Sequence, residues 1–317
     1  MGLIPVFVGL GAFSARAETS AGGETDLFSL GQSLFETYAP AEIKAEFAFP
    51  TREQWDEFAA RLEKTRQTGS LAELAAYESE ARVALLALRA LPEYADYADW
   101  LAERLDEIAV AKEATATAPG PASQPQPAPL PGKNANAPLR RPGAGVPMYD
   151  LWRKRMAERV RPTRADEFLA EVKAAFAAEG VPSELAWLAE LESMFNPKAK
   201  SPAGARGLYQ LMPVTAKAQG LSLLPFDERV QPEKSARAAA SLLKRLHGLF
   251  GTWPLALAAY NAGEGRVRRA LQAAEEKTFA GIAPALSTET RLYVPKVLAT
   301  LAEREGVEPE KLAAPKP

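Results

Sequence analysis

At 317 residues the chain is long enough for two domains, or for one domain with extensions. Its 38 Lys and Arg stand against 40 Asp and Glu, a net charge of −2 that carries no nucleic-acid footprint. There is no cysteine and a single histidine, which excludes disulfides, thiol nucleophiles, cysteine zinc sites and multi-histidine metal centres.

Residues 1–17 read as an export signal. Residues 3–13 (LIPVFVGLGAF) form an apolar core too short to span a bilayer. Ala15-Arg16-Ala17 follows as a small-x-small cleavage pattern, although no Lys or Arg precedes the core. The alternative is a buried N-terminal segment. Export implies a soluble, periplasmic or extracellular protein, and the lack of cysteine leaves no lipoprotein anchor.

Residues 24–113 are expected to be a small helical bundle. TREQWDEFAARLEKTRQTG (51–69) has a Thr start, early acids, late bases and a Gly stop. In 70–91, Ser70 with Glu73 three residues on is a capping-box pattern, and Pro92 ends the run. Tyr94, Tyr97 and Trp100 then recur every three residues and read as core. Residues 114–147 carry nine prolines among Ala, Gly, Asn and Gln, the composition of an extended linker.

Residues 148–308 are again helical, with no sustained strand alternation. Helices are expected at 164–179, at 182–195 opened by Pro182 and closed by Asn196-Pro197, and from Pro232 to Phe250. Pro254 opens another, and 288–305 is the last. The tail, 309–317, is expected to be disordered. His247, in KRLHGLF, has no nucleophile beside it and reads as an ordinary helix residue. The fold class is therefore mainly α.

One carboxylate stands out. On an ideal helix of about 100° per residue, Glu192 falls within about 20° of Leu185 and lies between Leu188 and Ala189. Glu190 then points to the opposite side, toward solvent. A carboxyl on an apolar face near a helix C-terminus tends to stay protonated, as a general acid must. The plain alternative is a solvated late-helix glutamate.

Four segments lie around it: ELESMFNPKAKSPAGARGLYQLMP (190–213), PFDERVQPEKSARAAASLLKRL (225–246), LALAAYNAGEGRVRRAL (255–271) and LSTETRLYVPKVLATLA (286–302). Glu192-Ser193, the run Gly207 to Pro213, Ala259 to Gly263, and Glu289-Thr290 with Tyr293-Val294-Pro295 follow in order. Together they resemble the soluble-lytic-transglycosylase family, and most nearly its membrane-bound murein transglycosylase D type. The resemblance covers about half the chain. Two departures are the tyrosine at 209, where the family often has Met or Trp, and the lack of LysM-type repeats.

The resemblance implies a helical, lysozyme-like catalytic domain at 148–308 that acts on peptidoglycan glycan strands without a metal or organic cofactor. It implies cleavage of the MurNAc–GlcNAc β-1,4 bond with formation of a 1,6-anhydro end. Glu192 would act first as acid and then as base. Tyr260 would supply a hydroxyl near that acid, and Gln210 an amide contact to the sugar. Ser193 would fix the turn after Glu192, and Asn261 the turn at 259–263. Met212 and Tyr209 would line the cleft, and Tyr293 would close one wall. Hydrolysis would need a second carboxylate, for which Asp227, Glu228, Glu264 and Glu289 are the candidates. Two alternatives stay open: a hydrolytic muramidase, and a non-catalytic scaffold whose 24–113 bundle recruits a protein partner.

Overall fold

The computed structural model describes residue 36 and residues 52–89, 95–117, 143, 145–201 and 203–317. The export signal at 1–17, residues 24–51 apart from residue 36, Tyr94, and linker residues 118–142 lie outside the described residues, as do the side chains of Tyr97 and Trp100. The chain divides into two compact units: residues 1–112 with 201–204, and residues 113–200 with 205–317.

In the first unit, α1 (Arg52–Thr68) ends at Gly69, whose N–H closes onto the Thr65 carbonyl. The capping box forms as the sequence predicts. The Ser70 hydroxyl accepts from the Glu73 N–H, and the Glu73 carboxylate accepts from the Ser70 N–H at 2.6 Å. The expected single helix over 70–91 is two, α2 (Leu71–Ala75) and α3 (Glu78–Arg89), separated by a turn at Ala76-Tyr77. The following helix, α4 (Ala95–Thr117), runs four residues past the predicted start of the linker. Leu62, Leu74, Ala81, Leu101 and Ile108 are buried between these helices. Buried Arg66 joins Glu63 on its own helix to Glu107 on α4, at 2.9 and 2.7 Å.

The second unit begins with α5 (Tyr149–Ala157) and α6 (Ala165–Ala178). A 3₁₀ turn (Ser183–Trp187) leads into the short α7 (Leu188–Ser193). Further along are α8 (Pro213–Ala218), α9 (Pro232–Phe250), α10 (Trp253–Ala262), α11 (Glu264–Ala273), α12 (Phe279–Ile282) and α13 (Thr288–Glu305). Pro at the first turn opens α8, α9 and α10, where its missing N–H is not needed. Gly251 and Gly306 stop α9 and α13 in the left-handed conformation. The axis of the unit is α13, packed on α5, α10 and the 3₁₀ turn, while α9 packs on α6 and α10. Among the described residues there is no named strand, only isolated bridges at Lys200–Arg206 and Arg206–Leu211.

Those bridges draw Lys200, Arg206 and Leu211 together, with residues 206–211 in a tight loop. Gly207 sits within it at φ 82°, and a Cβ there would lie 1.8 Å from the Arg229 carbonyl oxygen, so no other residue fits. The tail is not disordered: Leu312 is buried, the Lys316 N–H bonds the Gly180 carbonyl at 2.7 Å, and the Trp253 indole donates to the Ala313 carbonyl at 2.8 Å. Its many prolines and lysines hide one apolar anchor that the body of the unit captures. Among the described residues, no helix is long and apolar enough to cross a membrane.

Candidate active site

The site is built outward from the end of α7. After Ser193 the chain turns through two non-glycine residues in the left-handed region, Met194 (φ 51°) and Phe195 (φ 56°). Each such conformation costs about 1–3 kcal/mol. Burial of Phe195, set edge-on to Trp187 at 5.5 Å, returns about 1.5–3 kcal/mol. The helix therefore stops one residue past Glu192, which is left half-buried at its end.

A ring of hydrogen bonds joins four stretches of chain here. The Ser193 hydroxyl, on α7, contacts the Leu208 carbonyl at 2.9 Å and the Ala189 carbonyl at 3.2 Å. The next carbonyl in that loop, Tyr209, accepts from the Tyr260 hydroxyl of α10 at 2.7 Å. Adjacent Asn261 accepts through its Oδ1 from the Thr290 hydroxyl of α13 at 2.7 Å. One turn on, Tyr293 donates its hydroxyl to Glu192 Oε1 at 2.6 Å, which closes the ring. Thr290 has a single proton and gives it to Asn261, so the Ser287 hydroxyl donates to Thr290 across their 2.9 Å contact. The start of α13 is fixed in this way.

Burial pushes the Tyr293 and Tyr260 hydroxyls well above the usual phenol range, and the negative charge of Glu192 pushes both in the same direction. For Tyr293 the hydrogen bond to Glu192 and the charge of Glu289 add to this. Both phenols therefore remain donors across the whole working pH range.

Several expectations change. The helix expected over 182–195 is a 3₁₀ turn followed by α7, so a wheel of constant pitch misplaces its faces. Glu190, expected at solvent, is fully buried, with its carboxylate held by Arg304 at 2.9 and 3.0 Å. Tyr209 is no flat surface for a sugar. It is fully buried against Phe176, and its hydroxyl donates to the Ala186 carbonyl at 3.1 Å. The left-handed Gly207 and Gln210 on either side turn it inward. Tyr260 gives its proton to a backbone carbonyl, and the hydroxyl bonded to the acid is that of Tyr293. The Gln210 amide nitrogen is held by the Gly207 and Ala199 carbonyls at 2.9 and 3.3 Å. Met212 is half-buried at the start of α8.

Comparison with known proteins shows what this arrangement is similar to. The model described as "Transglycosylase SLT domain" matches residues 171–282. Residues 171–282 are therefore similar to a transglycosylase SLT domain. The match takes in α7, the loop with Gly207 and α10, and ends before α13, whose Tyr293 completes the site. The membrane-bound lytic murein transglycosylase D of Escherichia coli is 34% identical over 167 residues, 49% of this chain and 37% of that protein. A putative tributyltin chloride resistance protein of an Alteromonas strain is 38% identical over 120 residues, 37% of this chain and 58% of that protein. The chain thus spans well under two thirds of either relative. Among solved structures, the 70 kDa soluble lytic transglycosylase of Escherichia coli superimposes with a TM-score of 0.41 at 19% identity, over 90% of this chain and 47% of that one.

Three of the four candidates for a second acid are committed elsewhere. Asp227 is held ionised below the usual carboxylate range by Arg229 and Arg206. Hydrogen bonding to Lys234 does the same for Glu228, and bonding to Arg245 for Glu264. The fourth candidate, Glu289, acts on the site through its charge on Tyr293. His247 packs its ring on Trp253 at 4.5 Å, and burial lowers its pKa. The sequence reading missed Thr290 as an anchor for Asn261, and it missed both arginines around Glu190. The Glu-Thr of the fourth segment was a signal for the first. No local signal joins Glu190 to a partner 114 residues away.

Proposed function

We propose that this chain is a peptidoglycan lytic transglycosylase that cleaves the MurNAc–GlcNAc β-1,4 bond, with Glu192 as acid and then base. The observation that carries the reading is the seat of Glu192: half-buried, bonded to Tyr293, and set in a ring that draws on three of the four motif segments. The lytic murein transglycosylases among the relatives support the substrate class.

With Tyr293 donating to Oε1, the acid proton is carried on Oε2. Glu192 passes it to the glycosidic oxygen as the bond from MurNAc C1 to that oxygen breaks, which frees the GlcNAc hydroxyl. The MurNAc C6 hydroxyl then adds to C1, and the Glu192 carboxylate takes its proton. A 1,6-anhydro ring results, and the acid is regenerated without water or a second carboxylate. Commitment of Asp227, Glu228 and Glu264 to ion pairs fits a single-acid mechanism.

In this reading Met212 and the amide oxygen of Gln210, whose nitrogen is held by the loop, face the sugars, Ser193 and Asn261 hold the frame, and Tyr260 orients the loop through the Tyr209 carbonyl. Residues 148–308 form the catalytic unit, residues 24–113 a helical bundle open to a protein partner, and residues 1–17 direct export. Mass analysis of muropeptides after digestion tests the reaction. Anhydro ends are the expected product. Reducing ends would assign the chain as a hydrolytic muramidase and point to Glu289. Intact strands would leave a glycan-binding scaffold.

A further inference from the structure

Two residues before Glu192, on the same short helix, Glu190 is completely buried. Arg304, from the last turn of α13, grips it with two parallel bonds, Nε to Oε2 at 3.0 Å and Nη2 to Oε1 at 2.9 Å. Arg159, just beyond α5, approaches Oε1 at 3.7 Å. Arg304 Nη2 also donates to the Arg159 carbonyl at 3.2 Å, so the two arginines are fixed to each other as well.

The same pair reaches both ends of α7. Arg304 lies 5.8 Å from the ring centre of Trp187, the residue that opens the helix. Arg159 donates to the sulfur of Met194, the left-handed residue that closes it, at 3.3 Å. Glu192 sits between these grips and is bonded from the far side by Tyr293, also on α13. An apolar residue in place of a buried ion pair is often neutral or stabilising, so stability alone is a poor account of a carboxylate here.

We propose that Glu190, through Arg304 and Arg159, is a positioning residue that sets both the seat and the charge environment of Glu192; this rests on the acid role proposed for Glu192. Among the described residues, the charged and titratable groups around Glu192 include Tyr293 and Glu289 from α13, Tyr260 from α10, Glu190 from α7 itself, and the two arginines behind it. Glu190 and Glu192 emerge on opposite sides of a helix about 10–12 Å across. At that range one charge shifts a neighbouring ionisation by about one pH unit. Removing the negative charge of Glu190 favours ionised Glu192, and removing a positive charge favours its protonated form.

The test measures kcat, KM and their pH dependence in the full-length chain, from release of anhydro-muropeptides, with thermal melts to verify folding. Glu190→Gln should lose about tenfold or more in kcat through displacement of Glu192, with KM within about twofold. Its alkaline limb should move down by about one pH unit, and that of Arg159→Gln should move up. In Glu190→Gln/Arg304→Gln the limb should return toward wild type. A purely structural role predicts no opposed shifts. If the two single variants fold and keep the wild-type limb, the proposal is overturned; if Glu190→Gln does not fold, an unmoved limb in Arg159→Gln overturns it alone. Glu192→Gln is run alongside. Turnover in that variant would sink the acid role itself. An inactive Glu192→Gln beside wild-type-like Glu190→Gln and Arg159→Gln would sink only the positioning role.

Discussion

Glu192 carries the proton in the proposed reaction and Tyr293 orients it, so the two side chains fail in different ways. Glu192→Gln keeps the shape and removes the acid. Glycan turnover should fall by at least about a hundredfold at every pH, measured as anhydro-muropeptide release. Tyr293→Phe removes one hydrogen bond to the carboxylate, at 2.6 Å. That bond favours the ionised form, so its loss should move the alkaline limb of kcat to higher pH. The accompanying loss in kcat should be about tenfold, the weight of one hydrogen bond to a charged group. A flat loss with an unmoved limb would remove Tyr293 from the seat of the acid. At this scale the sequence named Glu192 and Tyr293 separately. Their pairing was hidden, because 101 residues separate them and only the docking of α13 on the 3₁₀ turn and α7 brings them together.

Among the elements, the regular helices were legible and the short irregular pieces were not. Pro232 and Gly251 bound α9, and Ser287 with Gly306 bounds α13, at the positions the residues predict, because each end carries its own stop or cap. Pro182 and Asn196-Pro197 mark the outer limits of the stretch around Glu192, but nothing in the sequence marks its division into a 3₁₀ turn and α7 or its stop already at Ser193. Packing of Phe195 and the two arginine grips impose them. The 3₁₀ turn Glu228–Val230 offers a test of an element held by charge. Asp227 accepts from the Arg229 backbone and guanidinium, and its pKa is lowered. Stability from a depressed carboxylate is full above its unfolded value, about pH 4, and is lost as pH falls through the folded value. Asp227→Asn should therefore melt below wild type at pH 7, and the gap should narrow as the pH drops below about 4. A gap constant over pH 7 to 2 would refute the ion-pair account.

For the molecule as a whole, the C-terminal strap was the main misreading. The composition of 309–317 is that of a loose tail, yet Leu312 is buried and backbone bonds tie the segment to Gly180 and Trp253. Leu312→Ala should lower stability by about 2 kcal/mol, the small end of the range for a buried leucine, and so lower the Tm. An unchanged Tm would return the segment to the status of a tail. By itself the sequence determined the helical class, the helix ends that carry Pro, Ser or Gly, and the choice of Glu192 as the proposed acid, with the four motif segments that follow in order. Each of these is written in local spacing or in a run of residue types. The tertiary structure alone decided that Tyr209 turns inward, that Tyr293 rather than Tyr260 bonds the acid, and that Glu190 is buried between two arginines. Those outcomes depend on which distant helix packs over a side chain, and a helical wheel holds no information about its neighbours.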